Sequence, residues 1–255
     1  MSNSNDSSKV VCVTGGSKRI GASIVKLFHQ HGYRVIIHYN RSVDEATKLA
    51  ASLNQKRAGS AGIIAADLCD AQQLEELASG IVEKFARLDV LVNNASSYYP
   101  TRFGNIGPQD WNQLVDSNLR GAFFLSQSLS QELSKAHGSI INIVDTQADQ
   151  ALRDHSVYCI AKSGLKSMTR SLALDLAPRI RVNGVSPGAI LWPDRLENDD
   201  DPQVQEHRKR ILSKIPTGRL GDVSEIAETV LFLANSASYI TGLTIKVDGG
   251  CSLGF

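Results

Sequence analysis

Lys9-Val10-Val11-Cys12-Val13-Thr14-Gly15-Gly16-Ser17-Lys18-Arg19-Ile20-Gly21 is the stretch that decides the fold. A β-branched run (9–14) passes into a glycine-rich turn and then into a helical pattern. At such a junction backbone N–H groups approach a pyrophosphate, and the helix dipole favours its negative charge. Glycines also serve any tight bend, so the turn takes its meaning from its place between a first strand and a first helix. Arg19 stands where a third glycine is usual, and a guanidinium there can face phosphate or an acidic or π-rich ligand. Gly15, Lys18, Arg19 and Ile20 are the candidate cofactor contacts of this turn.

Working outward, six more apolar runs follow: 33–39, 60–66, 88–94, 138–144, 180–186 and 243–248. Most are nearly continuous, as in strands buried on both faces of a parallel sheet. Helical spacing fills the intervals. In 155–177, Val157, Ala161, Leu165, Met168, Leu172 and Leu176 form one apolar stripe, and 111–136 reads as another long helix. The expectation is an α/β chain with a single-domain Rossmann-type doubly wound fold: a seven-stranded parallel sheet flanked by helices. Residues 1–8, rich in Ser, Asn and Asp, read as a disordered tail before a domain at 9–255. The acidic-then-basic stretch 193–210 reads as a loop and short helix over a site, within a substrate loop at about 190–215.

The 255 residues carry 27 Lys+Arg against 26 Asp+Glu, a formal charge of +1 that argues against nucleic acid or an acidic membrane as partner. No apolar run approaches the roughly 18–20 residues of a membrane span, and MSNSNDSSK lacks the apolar stretch of a secretory signal. Cys12, Cys69, Cys159 and Cys251 lie far apart and read as reduced thiols of a cytoplasmic protein. His29, His31, His137 and His207 have no metal-ligand spacing, so no metal is expected, and they read as surface or helix-end residues. His155 is read as capping or exposed, although three residues before Tyr158 it could approach a site. Arg208-Lys209-Arg210 reads as a solvated helix face.

The second run ends His38-Tyr39-Asn40-Arg41-Ser42, with no acid before Asp44 to hold a ribose 2′-OH. Arg41, Ser42 and His38, with Asn40 among them, suit a 2′-phosphate, which favours NADPH over NADH. Asp67, followed by Leu68, could accept from an adenine amino group or cap the next helix. Tyr158 and Lys162 are four apart and share a helix face, so an ammonium could lower the tyrosine pKa toward a useful range. Asn118, Asn93-Asn94-Ala95 and Pro187-Gly188 fall on segments near the C-terminal ends of strands, where open α/β sheets bind ligands.

Taken together, T-G-x-x-x-x-x-G (14–21), N-N-A (93–95), Asn118, Y-x-x-x-K (158–162), P-G (187–188) and Y-I-T-G…V-D-G-G (239–250) resemble the short-chain dehydrogenase/reductase superfamily across nearly all of 9–255. The resemblance implies a nicotinamide-dependent reductase in which Tyr158 handles the proton, Lys162 binds the nicotinamide ribose and Asn118 helps hold a water relay. It also implies a homotetramer, with helices at 111–136 and 155–177 and the C-terminal tail as contact surfaces.

Three departures narrow the group. Arg19 replaces glycine, Ser96 follows N-N-A, and Asp145 replaces the serine that ordinarily donates to a substrate carbonyl. An ionised carboxylate only accepts, so Asp145 points to a substrate presenting N–H groups, or else to a capping role. T-G-x-x-K-R-I-G with N-N-A-S and the aspartate resembles the pteridine reductases, close to dihydromonapterin reductases. The resemblance implies a pterin or folate substrate stacked on an aromatic side chain just after N-N-A-S, where Tyr98 and Tyr99 are adjacent. It places Arg19, Ser96, Tyr98, Asp145 and Tyr158 at the substrate, Asn94, Ala95, Ser96, Pro187, Gly188 and Ile190 at the cofactor, and Leu191, Trp192 and Pro193 along the lining. The alternatives are a carbonyl reductase such as a 3-oxoacyl reductase and, more remotely, a non-catalytic NADPH sensor.

Overall fold

The computed structural model describes residues 8–192 and 201–253, so residues 1–7 of the expected tail and Pro193 lie outside the described residues. All seven expected strands form: β1 (Val10–Val13), β2 (Arg34–Tyr39), β3 (Ala61–Ala65), β4 (Val90–Asn93), β5 (Ser139–Ile143), β6 (Arg181–Pro187) and β7 (Thr244–Val247). They make one parallel sheet in the order β3-β2-β1-β4-β5-β6-β7. Every residue of β1, β4 and β5 is buried, which is why these runs are apolar without alternation. Their side chains nonetheless divide by face. Val11 and Val13 join a core with α1 (Arg19–Gln30), α2 (Val43–Lys56) and α8 (Val223–Asn235). Val10 and Cys12 join the opposite core, with α3 (Ala71–Phe85), α5 (Gly121–Lys135) and part of α6 (Ser156–Leu176).

The strand order reverses between β1 and β4, so the loops leaving their C-terminal ends diverge and open a crevice there. The site is built at that crevice. α6 is the helix expected at 155–177. The helix expected over 111–136 is instead α4 (Pro108–Val115), a π-helical turn Asp116–Arg120 and then α5. In that turn Ser117 Oγ donates to the Gln113 carbonyl and Asn118 Nδ2 to the Leu114 carbonyl. Side chains that bond the preceding turn loosen a helix locally, and the widened turn carries a candidate site residue. Beyond the sheet, α7 (Pro202–Leu212) supplies the helix expected in the 193–210 stretch, of which 193–200 lies outside the described residues. No helix among the described residues is long and apolar enough to cross a membrane.

His29 is a helix-end residue, in the last turn of α1, but not a surface one. It is buried, and its Nε2 lies 2.7 Å from Ser60 Oγ, joining α1 to the start of β3.

Candidate active site

The glycine-rich turn is held in place from two sides. Thr14 Oγ1 accepts from the backbone N–H groups of Asn94 (2.9 Å) and Ala95 (3.0 Å). Asn94 Nδ2 donates back to the Thr14 and Gly15 carbonyls. The close approach requires glycine at two points. A Cβ at Gly15, whose φ is +60°, would lie 3.1 Å from Ala95 Cα, and one at Gly21 would collide with the Gly15 carbonyl oxygen. Lys18 is the N-cap of α1 but makes no side-chain cap, so the first amides of the helix are not satisfied in that way.

Arg19 sits at φ +49°, the left-handed region that explains why glycine is usual here. Replacing it with glycine is expected to relieve about 1 kcal/mol of backbone strain and raise Tm by about 2–4 °C, while weakening binding of an anionic ligand. Calorimetry alongside NADPH titration checks this. A Tm that falls would mean Arg19 serves the fold rather than the ligand.

At the tip of β2, Asn40 and Arg41 are exposed and Ser42 is the N-cap of α2 without a side-chain cap. Lys18 is ion-paired with Glu45 of α2 at 2.8 Å. His38 corrects an expectation. It is buried, and both ring nitrogens are engaged, with Gly15 N–H donating to Nδ1 (3.1 Å) and Nε2 lying 3.0 Å from the Ala66 carbonyl. It therefore cannot reach a 2′-phosphate. Capping of α3 falls to Asp70, whose side chain accepts from the Gln72 and Gln73 amides, whereas Asp67 accepts from Cys69 N–H in the turn before it. Leu68 is buried beside that turn.

The crevice is a cleft of about 410 Å³, lined by residues of the glycine turn, Asn94-Ala95-Ser96, Asp145, Tyr158, Lys162, Pro187-Gly188, Ile190 and Leu191. Tyr158 donates its hydroxyl to Asp145 Oδ2 at 2.6 Å. The other carboxylate oxygen accepts from Gln147 N–H (2.8 Å) and so caps the short 3₁₀ turn Thr146–Ala148. The capping reading of Asp145 thus holds for one oxygen, while the other is bonded to Tyr158. Lys162, fully buried, donates to the Ile143 carbonyl (2.9 Å) and lies 5.8 Å from the Tyr158 ring centroid.

This geometry reverses the expected direction for the tyrosine. Burial first, then the adjacent Asp145 carboxylate, push the Tyr158 hydroxyl pKa up rather than down. Burial pulls Lys162 down to about 8, with Asp145 opposing. The spacing 158/162 showed a shared face but not the carboxylate bonded to the phenol.

Ser96 Oγ donates to Asn118 Oδ1 (2.6 Å), and Asn118 Nδ2 donates to the Ser97 and Leu114 carbonyls. The π turn thus holds Asn118 against the segment after β4. Between the adjacent tyrosines the structure discriminates. Tyr98 is 56% exposed, and its ring meets that of Tyr158 edge-on at 4.9 Å. Tyr99 packs instead beside Leu114 and Val157. His155 is stacked on Tyr98, with centroids 4.8 Å apart, and makes no side-chain cap of α6. Its position three residues before Tyr158 was the available signal. Trp192 does not line the cleft. Its ring lies under the Arg208 guanidinium of α7 at 5.5 Å, which also takes Arg208 off the solvated face assigned to it.

The chain matches the enoyl-(acyl carrier protein) reductase family over residues 15–252. It is 36% identical to pteridine reductase 1 of Leishmania tarentolae, the match covering 96% of each protein. It is 34% identical to a 3-oxoacyl-(acyl-carrier-protein) reductase of Staphylococcus aureus, covering 95% of this chain and 97% of the relative.

Proposed function

The chain belongs to the short-chain dehydrogenase/reductase family, and within it we propose that the protein is an NADPH-dependent pteridine reductase, converting dihydropterins or dihydrofolate to their tetrahydro forms. The observation that carries this reading is the Tyr158–Asp145 hydrogen bond at 2.6 Å. A carboxylate there accepts N–H groups, which a pterin ring offers, and disfavours the oxyanion that grows on a reduced ketone.

The donor set suits a phosphorylated dinucleotide. The α1 N-terminus without a side-chain cap, Lys18 and Arg19 lie along the turn, and Arg41 with Ser42 lies at the β2 tip. Asn94, Ala95, Ser96, Pro187, Gly188 and Ile190 would hold the nicotinamide end, where Lys162 would meet the ribose, and Asp67-Leu68 would meet the adenine. When bound, the reduced nicotinamide supplies the hydride.

The chain's own residues manage the proton. With its pKa raised, the Tyr158 hydroxyl stays protonated across neutral pH and can deliver its proton to a ring nitrogen. That loss would leave a phenolate beside a carboxylate, and the Lys162 ammonium supplies the opposing charge. Asn118 steadies Ser96 at the cleft wall, and Tyr98, exposed beside Tyr158 with one ring face already stacked on His155, leaves its other face for a flat ring to stack on. Arg19 and Leu191 bound the same cleft.

Carbonyl reduction is the competing reading, because a relative at nearly equal identity is named for it. NADPH oxidation by the purified protein should be rapid with dihydrobiopterin, dihydromonapterin or dihydrofolate and slow with a 3-oxoacyl thioester. The opposite order would overturn the assignment.

A further inference from the structure

We propose that His38 is a positioning residue for the dinucleotide, a splint that fixes the glycine-rich turn against the C-terminal corner of β3. The inference goes beyond the pterin assignment and rests only on the dinucleotide part of the proposed function.

His38 is the last residue but one of β2, and its side chain is 2% exposed. Three hydrogen bonds radiate from it. Its Nδ1 accepts from Gly15 N–H at 3.1 Å, and its carbonyl accepts from Gly16 N–H at 2.9 Å. Its Nε2 reaches the Ala66 carbonyl at 3.0 Å. Because an amide can only donate and a carbonyl can only accept, the ring must carry its proton on Nε2 and leave Nδ1 as the acceptor. One buried ring thereby joins two loops that leave different strands. Gly15 begins the turn that leads into α1, and Ala66 immediately precedes Asp67-Leu68.

The constraint acts where it matters for a ligand. Gly15 sits at φ +60°, a conformation with no side chain of its own to hold it, and its amide is anchored by the imidazole. A turn free to rotate about that residue would present the α1 amides at varying angles, and the ligand would bear the ordering cost. Burial pulls the imidazole pKa down to about 4, so the neutral acceptor form persists at physiological pH. Asp67, on the β3 side, is the charged group whose field favours protonation. On the turn side Lys18 is ion-paired with Glu45.

Three variants separate the two ends of the splint. His38→Leu should weaken NADPH binding at least tenfold by fluorescence titration, with kcat at saturating NADPH changed less than threefold. His38→Asn, whose Oδ1 can still accept from Gly15 N–H, should recover most of the affinity. His38→Gln, suited only to the Ala66 end, should not. Unchanged affinity in a folded His38→Leu protein, or His38→Asn as weak as His38→Leu, would overturn the proposal. If His38→Leu does not fold, long-range ¹H–¹⁵N correlation of the wild-type imidazole decides. The expected result is an Nε2–H tautomer whose Nδ1 resonance moves when NADP⁺ binds. An Nδ1–H tautomer, or no movement, would count against the splint. Failure of the wild-type protein to bind NADPH at all would instead remove the cofactor reading on which the splint depends.

Discussion

Asp145→Ser is expected to slow dihydropterin reduction by about 10²–10⁴-fold, the range of a lost positioned acid–base group, while raising turnover of 3-oxoacyl thioesters and small ketones. The reason lies in what each side chain can offer. The carboxylate accepts the Tyr158 hydroxyl at 2.6 Å and would accept ring N–H groups, whereas a serine hydroxyl can donate to a growing oxyanion. Removing the carboxylate also removes the charge and the hydrogen bond that, after burial, raise the Tyr158 pKa. The tyrosine in Asp145→Ser should therefore ionise at lower pH, visible as a downward shift of the phenolate absorbance titration. The turn itself should survive, because serine can still accept from Gln147 N–H as Asp145 does. Asp145→Asn is the control for shape: it keeps an acceptor and loses the charge. If pterin reduction by Asp145→Ser falls less than threefold, the carboxylate has no part in the chemistry, and the resemblance to pteridine reductases loses its physical content.

How much of this was legible in the sequence depends on the kind of interaction. Strands buried on both faces announce themselves as unbroken apolar runs, so β1, β4 and β5 could be read directly, and the turn at 14–21 followed from its position. The pair 158/162 follows from helix periodicity alone. The remaining features depend on residues far apart in the chain. Asp145 and Tyr158 come from different elements, and only the folded geometry shows that burial, and then this carboxylate, raise the tyrosine pKa. The break at Asn118 depends on side chains that bond backwards to Gln113 and Leu114, which apolar spacing does not report. His38 misled for a related reason. A histidine beside Arg41 looks like an anion donor until burial shows both its nitrogens taken.

That burial has a thermodynamic consequence apart from any ligand. An imidazole held near pKa 4 in the folded state, against 6.5 unfolded, makes the unfolded chain the stronger proton binder between those values. The His38 contribution is therefore fully present above about pH 6.5 and is lost progressively as the pH falls toward 4. At about 1.4 kcal/mol per pKa unit, the full loss is about 3.5 kcal/mol, or about 300-fold in the folding equilibrium. His29 moves in the same direction, its pKa lowered by burial and then by Arg57. Other groups fall outside the His38 window. Asp149 and Glu225, whose pKa values are lowered chiefly by hydrogen bonds from Lys166 and Arg219, lose their contributions only at lower pH. Lys162, at about 8 in the fold and 10.5 unfolded, contributes a penalty that grows as the pH falls from about 10.5 to 8 and is constant below. Urea unfolding at one protein concentration, from pH 7.5 to 4.5, should show stability falling with a slope approaching 1.4 kcal/mol per unit from His38, with His29 acting in the same direction. His29→Asn should leave the His38 contribution in place. Asn at position 38 does not titrate, so His38→Asn should remove the larger part of the slope while lowering stability at pH 7.5. An acid slope that is the same with and without His38 would mean that the ring takes up a proton as readily in the fold as in the unfolded chain, and would overturn the assignment of Nδ1 as the acceptor of Gly15 N–H.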